Sequence, residues 1–384
     1  MKQAIILFFV LLIPFRGTGQ NEANEDGVKL EKKKMEKTDY IPEIHGTIRA
    51  KYEYQPEINA SRFEVRNARF SLTGNVHPSV AYKAEIDLSD EGSIKMLDAY
   101  TRLFPIKSLN FTIGQMRVPF TIDAHRSPHQ QYFANRSFIA KQVGNVRDVG
   151  ATVCYQLKEV FPFIIEAGIF NGTGLTNQKE WRKEMNYSVK AQLLFIKGLN
   201  IEFSTQTIKP ESIRIHMYDG GLSYRYKRFL IEGEYLYKQY EQNAFKDVHA
   251  MNSFMSYELP LPRIFKSMSF LARYDFMTDH SDGYADEETG KLKINDYKRQ
   301  RVTGGLTFSI GKPFVADIRL NYEKYFYSNS SCPDAFSASY FRSYWLYNLR
   351  RYIVGVVDTC RSGIDDSCCY ISFLHEVGMA DSRR

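Results

Sequence analysis

This 384-residue chain is short of long apolar runs. Only residues 4–14 form one, too short for the ~20 apolar residues of a membrane-spanning helix, so a helical membrane protein is excluded. Cysteine is scarce in the body: Cys154 stands alone, and Cys332, Cys360, Cys368 and Cys369 crowd the C-terminal end. That spacing offers no disulfide framework to the body and no CxxC pair for zinc. The 8 histidines are scattered. His125 and His129 have the spacing of a helical metal pair, but Pro128 lies between them. GxSxG, HExxH and P-loop patterns are missing, so neither an enzyme nor a cofactor is expected. The net charge of +7 is modest and drops by two once Lys2 and Arg16 leave with a signal segment. It does not call for nucleic acid.

Aromatic residues are abundant. There are 26 Tyr and 27 Phe in a chain whose mean hydropathy is only -0.39. Strands with one face in lipid and aromatic girdles at both interfaces reconcile the two figures. Residues 1–19 have the basic, apolar and small-residue regions of a secretory signal, with cleavage before Gln20. Residues 20–42 are charged and polar, as a periplasmic linker would be.

From Glu43 the pattern has period two. In the first strand Gly46, Ile48, Ala50, Tyr52 and Tyr54 share one face, and Thr47, Arg49, Lys51 and Glu53 the other. Later strands repeat this: Ala68, Phe70 and Leu72 oppose Arg69, Ser71 and Thr73, while Leu97, Ala99, Thr101 and Leu103 oppose Asp98, Tyr100 and Arg102. About fifteen such strands are legible before Asn329. A soluble sandwich alternates too, but has no reason to sort its loops by parity. Here the connections after even strands are short, as at 77–78, 105–108 and 197–198. Those after odd strands are often long, as at 120–148, 171–186 and 277–299. Short periplasmic turns and long external loops are the pattern of outer-membrane barrels. The expected fold is all-β: a transmembrane antiparallel β-barrel of about 16 strands over residues 43–328, exported to the outer membrane.

The third external loop, 120–148, is too long to be idle. Phe133, Phe138 and Ile139 would anchor it to a wall, folding it inward. It carries Arg126, Arg136, Lys141 and Arg147, and Arg117 stands where the strand meets it. By strand parity, Arg49, Lys51, Arg69, Lys83 and Arg102 face the lumen. Cationic groups at a constriction prefer anions, and guanidinium suits an oxyanion because its planar fork donates two parallel hydrogen bonds. The bland reading of each is an ion pair with Glu53, Glu85, Asp87 or Asp98.

The segments GQMRVPF, NRS and RDVG resemble the motif succession of the phosphate-selective porins O and P. FEVRNARFSLTG, LDAYTRLF, GIFNGTG, ARYDF and LNYEKY follow that family's order across residues 43–327. The resemblance implies phosphate as the preferred ion, a homotrimer and a setting of outer-membrane lipid and lipopolysaccharide. It places Arg66 at the first position of a double-arginine motif, with Asn67 where the second would be. A closed barrel acting as adhesin, anchor or assembly partner is the alternative.

The C-terminal tail, 329–384, departs from the pattern. Its alternation collapses, it gains four cysteines and it ends on two arginines instead of an aromatic residue. The best substitute closing strand is 349–357. The tail reads as a frameshift or a divergent closing segment.

Overall fold

The structure, a computed structural model, describes residues 40–327 and the backbone of 367–378, apart from 57–58, 91, 143–145, 159–160, 262–264, 287–288 and 311–314. The signal segment and nearly all of the linker lie outside these residues.

The first eight strands are β1 (Glu43–Gln55), β2 (Ala60–His77), β3 (Val80–Asp90), β4 (Ser93–Ile106), β5 (Leu109–Arg117), β6 (Arg147–Leu157), β7 (Phe163–Phe170) and β8 (Asn186–Leu193). Next come β9 (Leu199–Ile208), β10 (Ile215–Tyr226), β11 (Phe229–Tyr240), β12 (Val248–Pro260), β13 (Ser267–Met277), β14 (Arg299–Ile310) and β15 (Val315–Tyr327). Each pairs antiparallel with its neighbour in the chain, in the order of a barrel. A further strand, β16 (Ser367–Gly378), pairs with both edges. Its register runs from His45↔Gly378 to Tyr54↔Cys369 on β1, and from Val315↔Glu376 to Lys324↔Ser367 on β15. The segment 349–357, taken from sequence as the best substitute closing strand, lies outside the described residues.

The molecule is apolar outside and polar inside. Phe63, Ile113 and Phe203 are 85%, 64% and 58% exposed, whereas Asp275, Arg301 and Glu323 are fully buried. Successive side chains of a strand point to opposite faces, so one face meets lipid and the other the lumen. Loop lengths sort by parity as expected, with the long connections after β5, β7, β11 and β13.

Several register shifts interrupt β1–β5, and those in β2 and β4 change which residues face outward. Arg49 pairs with Asn67 and Ala50 with Val65, leaving Arg66 as the extra residue of β2. The strand's outer face shifts there from Phe63 and Val65 to Phe70 and Leu72, as one inserted residue requires. In β4, Glu85 pairs with Asp98 and Ile86 with Met96, so Leu97 is the extra residue. The expected lipid-facing Leu97 is consequently buried, and Met96 is exposed in its place.

Candidate functional site

Strand β5 stops where Pro119, lacking an N–H, cannot extend the ladder. Its last rung is Val118 N–H to Val146 O at 3.0 Å. The chain then turns into the barrel. Thr121, fully buried, has φ 57°, a strained value for a β-branched residue that costs on the order of 1–3 kcal/mol. Two wall residues hold it there: its N–H donates to Ser204 Oγ at 3.0 Å, and its carbonyl accepts from Lys190 Nζ at 2.7 Å.

The front of the loop lies on β8–β11. Ile122 N–H donates to Glu234 Oε1 at 2.6 Å, and Arg126 grips Glu232 with both guanidinium ends. Gly221 makes room for Ile122, because a Cβ there would stand 2.3 Å from Ile122 Cδ1.

The back of the loop lies on β1 and β13–β15. Arg49 donates to Gln131 Oε1 at 2.6 Å and to the carbonyl of Ala134. Ala134 N–H reaches Asn321 Oδ1 at 2.7 Å. Arg273 holds the carbonyl of Asn135 at 2.8 Å, and Arg301 that of Arg136 at 2.7 Å. A short helix, α1 (Phe138–Gln142), follows. The ring of Phe138 meets the guanidiniums of Arg299 and Arg301, each 4.7 Å from its centre. Phe133, Phe138 and Ile139 are buried as their apolar character predicts, each worth on the order of 2 kcal/mol.

Arg136 joins the halves by donating to the carbonyls of Asp123 and Arg126. Burial raises the carboxyl of Asp123, but Arg136, Arg126 and the Ser137 N–H outweigh it and hold the group below its ordinary value. Burial also brings Arg136 down to about 9, helped by Arg117, Arg69 and Arg147 and opposed by Asp123. It is still cationic at neutral pH.

Most of the basic residues singled out from sequence have acidic partners. Lys51 meets Glu53 at 2.6 Å and Glu64 at 2.8 Å, and Arg66 meets Glu64 at 3.6 Å. Arg69 bonds Asp87 at 2.8 Å and Glu85 at 3.4 Å. Lys83 lies 3.0 Å from both Glu85 and Asp98. Arg147 reaches Asp98 at 2.6 Å and Glu85 at 3.2 Å. Arg102 donates to Thr112 at 3.0 Å and Arg117 to the carbonyl of His125 at 2.5 Å. The side chain of Lys141 lies outside the described residues.

The sequence reading left Lys190, Arg273 and Arg319, which lie on the polar face of their strands, out of the candidate pathway, and did not place Arg299 and Arg301. All five are buried in the lumen. Parity along β8 and β13–β15 would have found them, since each alternates with an exposed or half-buried outward residue.

Such a barrel, with its third external loop folded into a charged lumen, has the architecture of outer-membrane porins. Residues 43–214 match the family model described as phosphate-selective porin O and P. That match spans β1 to β9; the fragments ARYDF and LNYEKY lie beyond it. Among curated proteins, none matches the chain in sequence. In fold it is similar to OmpT of Vibrio cholerae in its trimer form, at 12% identity and TM-score 0.57, over 88% of this chain and 98% of that one. An anion-selective porin from Comamonas acidovorans superposes at 10% identity and TM-score 0.57, over 88% and 98%. The outer membrane channel DcaP of Acinetobacter baumannii superposes at 12% identity and TM-score 0.55, over 89% and 98%.

Proposed function

We propose that the protein is a passive diffusion channel preferring anions, phosphate among them, whose path runs past the arginines of the loop and the neighbouring wall. The observation that carries this reading is a group of guanidiniums with donors to spare. Arg49 lies within electrostatic reach of Arg319, Arg66, Arg136 and Arg69. Nε of Arg49, and Nε and Nη1 of Arg319, are buried without a hydrogen-bond acceptor among the described residues. A buried donor left unmet costs about 1–3 kcal/mol, and a passing oxyanion would meet it. Glu85, Asp87 and Asp98 neutralise part of the wall, so selectivity is moderate. Arg49, Lys51, Arg66, Arg69, Lys83, Arg102, Arg117, Arg126, Arg136, Lys141 and Arg147 are proposed to act collectively through the field they set up. No catalytic role is assigned to any of them.

The surrounding reading is a homotrimer in outer-membrane lipid and lipopolysaccharide, exported by residues 1–19. N-terminal sequencing of the mature protein should begin at Gln20; an uncleaved start would count against export by this segment. The tail is read as a divergent segment whose residues 367–378 close the barrel. A closed barrel serving as adhesin, anchor or assembly partner is the second reading, favoured by a loop that reaches β1, β8, β9, β11 and β13–β15.

The test is the reversal potential in a KCl gradient for the parent and an Arg319→Gln variant, chosen because Arg319 makes none of the loop contacts described above. A several-fold drop in the anion-to-cation permeability ratio is expected, shrinking at 1 M salt where the Debye length is ~3 Å. A cation-selective parent, or an unchanged reversal potential, overturns the anion path. Absence of conductance favours the closed barrel.

A further inference from the structure

Negative charge accumulates where the front of the loop meets its wall. Glu202 of β9, Asp219 of β10, Glu232 and Glu234 of β11 and Asp123 of the loop are all buried there. Three of the five have cations. Glu202 meets Lys190 at 2.6 Å, Glu232 is held by Arg126, and Asp123 faces Arg136 and Arg126. Among the described residues, Asp219 and Glu234 have no cation in direct contact. Asp219 Oδ1 takes only the Ser204 hydroxyl, at 3.4 Å, and Glu234 Oε1 the Ile122 N–H, at 2.6 Å. Their second oxygens, Oδ2 and Oε2, are buried with no hydrogen-bond partner.

Gly221 pairs with Glu234, and Asp219 with Leu236. Asp219 and Glu234 are therefore diagonal neighbours on the lumen face of adjacent strands, close enough for the charge of Asp219 to act on Glu234. Ile122 is seated over Gly221, with its N–H on Glu234. Two adjacent carboxylates buried without a cation in direct contact cannot both ionise at tolerable cost. Among the described residues no group of three or more His, Cys, Asp or Glu side chains is arranged to hold a metal ion.

We propose that Asp219 and Glu234 share a proton, and that this proton keeps the front of the loop docked on β9–β11. Bound to one carboxyl, it makes that group an O–H donor to the other's unpartnered oxygen. Its loss to solvent leaves two negative charges facing Glu202, Glu232 and Asp123. Among the described residues the cations facing this group, Lys190 and Arg126, are already engaged; His125 faces Lys190 and is itself held neutral by burial. Repulsion then lifts Ile122 from Gly221. The inference does not depend on which ion the channel prefers.

The test uses the full-length protein reconstituted in lipid, read by infrared spectroscopy and by single-channel recording from mildly acidic to alkaline pH. The parent should show a carboxylic-acid carbonyl band at neutral pH, and the Asp219→Asn/Glu234→Gln double variant should lack it. Open-channel current fluctuations should grow several-fold in the parent as the band is lost with rising pH. The double variant, similar in shape and unable to ionise, should stay quiet. Should it fail to fold, Glu234→Gln alone keeps an oxygen for the Ile122 N–H and should remove the alkaline response. No band difference at neutral pH, or an alkaline response retained by the variants, overturns the proposal. So does a band that changes when potassium is replaced by N-methylglucamine at fixed pH, since a cation would then be the occupant.

Discussion

The two halves of the inward loop are held by opposite chemistry. The front half rests mainly on acids, giving a backbone N–H to Glu234 and one arginine to Glu232, while Ser204 and Lys190 hold Thr121. The back half rests on arginines, giving backbone carbonyls and aromatic rings to Arg49, Arg273, Arg299 and Arg301. A loop has both donors and acceptors on every residue, so one segment can serve walls of either sign. The difference lies in compensation. Arg301 has Asp275 at 2.8 Å and Glu323 at 3.1 Å, whereas Asp219 and Glu234 have no such partners.

That asymmetry can be broken from either side. The largest effect is expected for Arg301→Ala. It leaves Asp275 and Glu323 with Arg273 alone, at 2.9 and 3.2 Å, and removes one of the two guanidiniums on Phe138. Losing one member of a buried ion pair costs about 3–5 kcal/mol, readable as a lowered denaturant midpoint in detergent. An unchanged midpoint would mean the back half is not held this way. Arg126→Ala acts on the front half, stranding Glu232 beside an already acidic group. Release of residues 118–126 is expected, seen as noisier single-channel currents with the fold intact; a quieter channel would contradict it.

The smallest effect is that of acid. Asp123 titrates below its ordinary value in the docked loop, so its contribution is present above the free value of ~3.9 and is lost as pH falls through the folded one. Current noise should therefore rise in strong acid for the parent. Asp123→Asn should be noisier at neutral pH and flat below it. A parent equally quiet down to strong acid would remove Asp123 from the docking.

The legible part of this structure is what period two can encode. Arg49, Lys51 and Glu53 alternate with Ile48, Ala50 and Tyr52, and the structure buries the first set and exposes or half-buries the second. Fifteen strands and the sorting of their loops follow from the same alternation. Leu97 was misread because an extra residue in a strand reverses its parity without any mark in the residue types. The ion pairs of Arg69, Lys83 and Arg147 were anticipated only as the bland reading, since sequence places these cations on the lumen face but not beside Glu85 or Asp98. The apolar residues Ile215, Met217 and Leu236 are buried around the loop, and a period of two does not tell such an inward apolar seat from a lipid-facing residue.

By itself the sequence determined which side of a strand meets lipid wherever no bulge interrupts it, where most strands end, and that one long basic loop carries its own apolar anchors. These are local properties: alternation, proline and chain length act within a few residues. Only the tertiary structure decided which wall each half of the loop touches, that Arg301 serves two acids while Asp219 and Glu234 have no cation in contact, and that the strand meeting both edges is Ser367–Gly378. Charge compensation depends on distances between strands far apart in the chain, and a period of two carries no information about them.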